Sequence, residues 1–171
     1  MDAFLVIDCQ KALLKGSYLE QEVLAAIQRT TNKIRESGGL MIFIQHCHTT
    51  FEPMMKGMPG WALHEALDIR DEDLRVEKQA SDAFYETNLD KILRQHGVSR
   101  IYCAGLQTEF CVDATCRSAL SKNYEVTLIS DGHTTGDAIL PAQKIIDHHN
   151  LLLANLAHPH RSIQVLASQH L

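Results

Sequence analysis

Short runs of β-branched and aromatic residues alternate along this chain with longer stretches in which apolar positions return every three or four residues. Runs of the first kind, bounded by turn residues, predict buried strands, and the longer period predicts helices packed on them. Strands are expected over residues 3–8, 40–46, 73–78, 100–104, 125–130 and 162–166, with helices over 19–37, 88–97, 109–121 and 138–156. Within 19–37, Leu19, Val23, Ala26, Ile27, Thr30 and Ile34 share one stripe, and Gly38-Gly39 ends the helix. Strands joined by crossover helices make parallel sheets. The pattern therefore predicts an α/β fold of three α/β/α layers, doubly wound about a mainly parallel six-stranded sheet. No Ser/Gly-rich linker, repeat or low-complexity segment interrupts it, so residues 1–171 are expected to form a single domain.

Composition narrows the function classes. Sixteen Lys and Arg stand against twenty-one Asp and Glu, a net charge of -5 with the ten histidines neutral, and no basic run offsets it. A phosphate-backbone partner is disfavoured. No segment approaches the roughly 18 apolar residues of a membrane span, and the opening run Ala3-Phe4-Leu5-Val6-Ile7 lacks the basic start and length of a secretory leader. Five scattered cysteines, an odd number, fit free thiols in a reducing cytoplasm.

In doubly wound sheets the ligand crevice lies beyond the carboxyl ends of the strands, so polar residues at those ends carry the candidate chemistry. Asp8 closes an otherwise apolar strand, His46 and Lys78 end the second and third strands, and Cys111 follows the fourth strand and its turn, Gly105-Leu106-Gln107. Thr108 is a candidate N-cap, which places Cys111 in the first turn of a helix, where free amides and the macrodipole favour a thiolate and a developing oxyanion. Asp8 within reach of Cys111 could take its proton, and Lys78 could hold the two anions together. Cys103 and Cys116 are expected to pack in the core, whereas Cys9, beside Asp8, is either reactive or packed.

These positions and their surroundings resemble the isochorismatase-like cysteine hydrolases, the superfamily that includes nicotinamidases and carbamoyl-sarcosine amidases. The likeness rests on Leu5-Val6-Ile7-Asp8-Cys9-Gln10, Ile44-Gln45-His46, Met58-Pro59-Gly60-Trp61-Ala62-Leu63-His64, Glu77-Lys78 with Ser81-Asp82-Ala83-Phe84-Tyr85, Gly105 to Val112, Ser130-Asp131-Gly132 and His148-His149-Asn150. The resemblance implies an Asp8, Lys78, Cys111 triad and a sheet in the order 3-2-1-4-5-6. It also implies a cis peptide at Leu106-Gln107 and an oxyanion hole from the amides of Gln107 and Cys111. The activity that follows is hydrolysis of a C–N bond in a small amide or ureide through a Cys111 thioester, in a homo-oligomer.

Nicotinamidases of this superfamily carry an Asp-x-His metal segment and a later His. Here His46-Cys47-His48 replaces the Asp with His, and His64 matches the later position. No cofactor is expected, with Zn or another divalent ion on His46, His48 and His64 as the alternative. Phe51, Trp61, Phe84, Tyr85 and Phe110 are candidate pocket walls. His133, His148, His149, His158 and His160 are expected at the surface, at helix ends or in subunit contacts. Two other readings remain beside the metal-free hydrolase: a metal-assisted nicotinamidase and a catalytically idle scaffold of the same fold. A dinucleotide-binding module is disfavoured, because Asp8-Cys9-Gln10-Lys11 stands where a Gly-x-Gly-x-x-Gly turn would follow the first strand.

Overall fold

The computed structural model describes all 171 residues. Its centre is β1 (Asp2–Ile7), whose residues alternate between two faces because side chains in a strand point up and down with period two. Ala3, Leu5 and Ile7 enter one apolar cluster and Phe4 and Val6 the other, so the strand is buried on both sides. Such a strand must be sandwiched by helices. On the Phe4 side lies α2 (Glu20–Glu36), which turns Val23, Leu24, Ile27 and Ile34 toward the sheet. On the Leu5 side lie α3 (Leu89–Gln95), α4 (Asp113–Ser121) and α5 (Ala142–Ala154), through Leu89, Leu93, Cys116, Ala119 and Leu153.

The remaining strands are β2 (Leu40–His46), β3 (Leu74–Lys78), β4 (Arg100–Leu106), β5 (Glu125–Thr134) and β6 (Ile163–Leu166). All pair in parallel in the order β3-β2-β1-β4-β5-β6. The chain leaves β1 toward β2 and β3 on one side and later builds β4, β5 and β6 on the other. The switch point, with its crevice, therefore lies between β1 and β4. Gly105 on β4 has φ +123°, and a Cβ there would collide with the Ile7 carbonyl oxygen. Glycine is what lets the two central strands close up beneath the crevice.

Several boundaries differ from the sequence expectation. The 109–121 helix is two pieces, a five-residue π turn over Thr108–Val112 followed by α4. Thr108 is not its cap: its hydroxyl is engaged by His133 Nδ1 at 2.9 Å, and the turn has no side-chain cap. The last helix starts at Ala142 rather than 138, because Pro141 interrupts the ladder and Asp137 Oδ1 accepts the Ala142 N–H at 2.8 Å. A short helix α1 (Lys11–Leu14) follows β1, and β5 continues to Thr134 after a register slip opposite Cys103 and Gly105. That slip carries His133, expected at the surface, at a helix end or in a subunit contact, into the interior at 1% exposure.

Candidate active site

Three strand ends supply the site. Asp8 follows β1 with φ 50°, a left-handed conformation that costs an L residue about 1 kcal/mol and that Asp tolerates better than most. Its N–H is held by the Ile44 carbonyl at 3.1 Å. Lys78 ends β3 and is registered opposite His46 at the end of β2. Cys111 lies in the π turn after β4, beyond a cis Leu106-Gln107 peptide. Lys78 Nζ stands 2.7 Å from Asp8 Oδ2, with both side chains sealed from solvent. The same ammonium lies 3.1 Å from Cys111 Sγ, 3.1 Å from His46 Nδ1 and 3.0 Å from the Ala80 carbonyl.

Charge and burial fix the protonation states. No backbone amide hydrogen-bonds the Asp8 oxygens, which face Lys78 and the Cys111 thiol, so the Lys78 contact is what offsets the cost of burying that carboxylate. Burial pushes the Cys111 thiol up to about 12, and the Asp8 charge adds to this against the opposing pull of Lys78. Cys111 is therefore a thiol at neutral pH and not the helix-stabilised thiolate expected from its first-turn position. His46 is lowered, by burial first and by Lys78 second. An ammonium has no acceptor, so His46 Nδ1 must accept from Lys78 and its ring proton sits on Nε2.

A cavity of about 250 Å³ opens over Cys111, walled by Leu13, Phe51, Met54 and Phe110, with His46 and His48 at its polar side. Around it, Phe110 and Val112 both donate to the Gln107 carbonyl, while the Gln107 N–H has no protein acceptor. A second, polar cavity of about 490 Å³ lies on the other side of Lys78, lined by Cys47, Lys56, Glu77, Gln79 and Tyr85. The arrangement sets a thiol, a buried carboxylate and a buried ammonium beside an apolar cavity, groups of the kind that acyl transfer can use.

Residues 2–162 match the model of the isochorismatase domain. The chain belongs to the isochorismatase family. It is 31% identical over 140 residues to a streptothricin hydrolase of Streptomyces noursei, covering 80% of this chain and 51% of that one, so it spans about half the length of that relative. The ureidoacrylate amidohydrolase RutB of Stutzerimonas stutzeri (strain A1501) is 26% identical, covering 78% of this chain and 70% of the relative. A solved isochorismatase family protein superposes with a TM-score of 0.83 at 32% identity, covering 95% of this chain and 96% of that one.

Within this isochorismatase-family fold the other expected site residues separate. Phe51 and Phe110 line the apolar cavity. Tyr85 lines the polar one. Phe84 is no pocket wall: it packs in the core, stacked on Tyr124 at 6.2 Å. Trp61 lines neither cavity; its Nε1 donates to Cys47 Sγ at 3.3 Å and its carbonyl accepts the Gln10 and Gln45 side-chain amides. Cys9, Cys103 and Cys116 are fully buried, and burial pushes the Cys9 thiol far up, which makes it inert.

The histidine set His46, His48 and His64 does not converge. The three side chains whose ligand atoms do approach within 4.8 Å are Asp8, His46 and Cys111, and the Lys78 ammonium already contacts all three. His48 Nδ1 accepts the N–H groups of Thr50 and Phe51, and His64 Nδ1 accepts that of Ala66. Each ring proton then sits on Nε2, so neither His as held offers that nitrogen's lone pair to an ion. These residues, in this arrangement, do not fit the metal site weighed as the alternative.

Two supports escaped the sequence reading. Gln10 pairs with both backbone groups of His46, accepting its N–H at 2.9 Å and donating to its carbonyl at 3.1 Å. The buried His133 joins the nucleophile turn to α5, with Thr108 on one nitrogen and Asn150 Oδ1 on the other, each at 2.9 Å. The alternation continuing past the first strand could have suggested Gln10's inward direction, but nothing local marks a residue behind a register slip.

Proposed function

We propose that this chain is a cysteine hydrolase that opens the C–N bond of a small amide or ureide through an Asp8, Lys78, Cys111 triad. The observation that carries the reading is the single buried ammonium of Lys78 lying within 3.1 Å of both the carboxylate and the sulfur. As Sγ bonds to the substrate carbonyl carbon, its proton passes to Asp8 and the carbonyl electron pair moves onto oxygen. The amides of Gln107 and Cys111 stabilise that oxyanion, at about 3 kcal/mol of barrier for each donor. Collapse breaks the C–N bond, and the leaving amine takes the proton from Asp8. Water then adds to the thioester carbonyl, giving its proton to Asp8. Cys111 leaves as a thiol with that proton returned, and the free acid departs.

Lys78 pairs with Asp8 at rest and balances charge while the proton moves. The names of the relatives, a hydrolase and an amidohydrolase, support the same class of reaction. The test is ammonia release from a panel of small amides and ureides by the wild type and Cys111→Ala, together with mass spectrometry of the quenched enzyme. An acyl adduct on Cys111 and turnover in the wild type alone are expected. Equal turnover by Cys111→Ala overturns the reading. The homo-oligomer that the family likeness implies is tested by light scattering, which should give a mass of at least twice 19.2 kDa.

A further inference from the structure

The cavity over Cys111 carries information about the substrate that the triad does not. Its walls are Leu13, Phe51, Met54 and Phe110, and its charged groups are spent within the protein. Asp8 and Lys78 neutralise one another at 2.7 Å. His46 is held neutral, with its Nδ1 occupied by Lys78. His48 has its Nδ1 occupied by two backbone N–H groups and its ring set edge-on to Phe51 at 5.9 Å. No Arg lines this chamber, and Lys56 lies in the polar cavity, paired with Glu77 at 2.7 Å. An anionic substrate entering here would exchange part of its hydration for apolar walls and meet no unpaired cation, which disfavours it.

We infer that this chamber is an acyl subsite for a neutral, apolar group, and that it rejects amides whose acyl portion carries a carboxylate. The inference rests on the hydrolase reading for its substrate and on the cavity walls alone for its charge preference. The volume of about 250 Å³ suits a branched aliphatic or single-ring acyl group and no larger polycyclic one. Phe51 is the specificity-determining wall, because it is half-exposed on a loop and can be exchanged without opening the core.

Two measurements at pH 8 test this. The first compares hydrolysis of isovaleramide and benzamide with that of succinamate and 4-carboxybenzamide, by the wild type and Phe51→Arg. The wild type should favour the neutral member of each pair at least tenfold in kcat/KM, and the arginine should narrow or reverse that ratio. The second needs no turnover: Cys111 and Cys47 are alkylated with iodoacetamide or iodoacetate, and each site is quantified by peptide mass spectrometry. Cys47, at the rim of the polar cavity, is the internal reference.

The preference for iodoacetamide should be at least tenfold greater at Cys111 than at Cys47, and should shrink in Phe51→Arg. Selective alkylation without hydrolysis of any amide would uphold the neutral subsite and discard the hydrolase reading. Preferred turnover of the carboxylate-bearing amides, or equal selectivity at the two cysteines, would overturn the inference whatever the activity.

Discussion

Replacing Lys78 by Met tests the buried ion pair most directly, because Asp8 and Lys78 are both at 0% side-chain exposure and solvent cannot screen what is lost. Met keeps the length and apolar stem of the side chain and removes only the charge. Breaking a buried pair by deleting one partner strands the other, at about 3–5 kcal/mol. In a chain of this size each kcal/mol lowers Tm by roughly 2–4 °C, so a fall of roughly 6–20 °C is expected. Asp8→Asn in the same chain removes the stranded charge and retains a residue that accepts φ 50°. The double variant should recover about 2 kcal/mol relative to Lys78→Met, so that in a double-mutant cycle in urea the two single losses do not add. Unfolding of Lys78→Met within about 1 kcal/mol of wild type, or losses that simply add, would refute the claim that this pair is an obligatory buried unit.

Three further outcomes follow from particular groups. Since Asp8 raises the Cys111 thiol, Asp8→Asn should speed alkylation of Cys111 by iodoacetamide at pH 8 while ending turnover, and slower alkylation would contradict the electrostatic ordering. Burial lowers His133 to about 4 from an ordinary value near 6.5. The unfolded chain therefore binds the extra proton first, so stability is complete above pH 6.5 and lost as pH falls toward 4. About 2 kcal/mol should disappear between pH 7 and pH 5 in urea melts, and His133→Gln should flatten that component. Gly105→Ala drives a Cβ into the Ile7 carbonyl and should cost more than about 4 kcal/mol, seen as insoluble expression or a collapsed Tm.

Much of the sheet could be read from the chain because doubly buried strands leave a plain mark: short apolar runs ended by a polar residue. Asp8 stood out for the same reason, since a charge closing an apolar strand is costly unless it is used or paired, whereas Lys78 ends a strand of mixed polarity and gained meaning only beside Asp8 and Cys111. Cys111 stood out by its place after a glycine turn. What could not be read depends on side-chain direction and on long-range register. His46 was visible as a strand end, but its engagement with Lys78 follows from the β2–β3 register. Phe84 and Tyr85 are adjacent in sequence, and only packing against Tyr124 decides that the first turns inward and the second outward. His133 is buried by an irregularity between β4 and β5 that has no local signature.

The order β3-β2-β1-β4-β5-β6 draws residues 8, 78 and 111 from the middle strand and from both of its wings. Contacts so distant along the chain form late, after the costly closures that bring the wings together. A refolding chain thus holds an ordinary cysteine at position 111 until both wings have docked, and only then does its sulfur acquire the hindered chemistry of the finished site. Pulse alkylation of that one thiol would serve as a clock for the last stage of assembly.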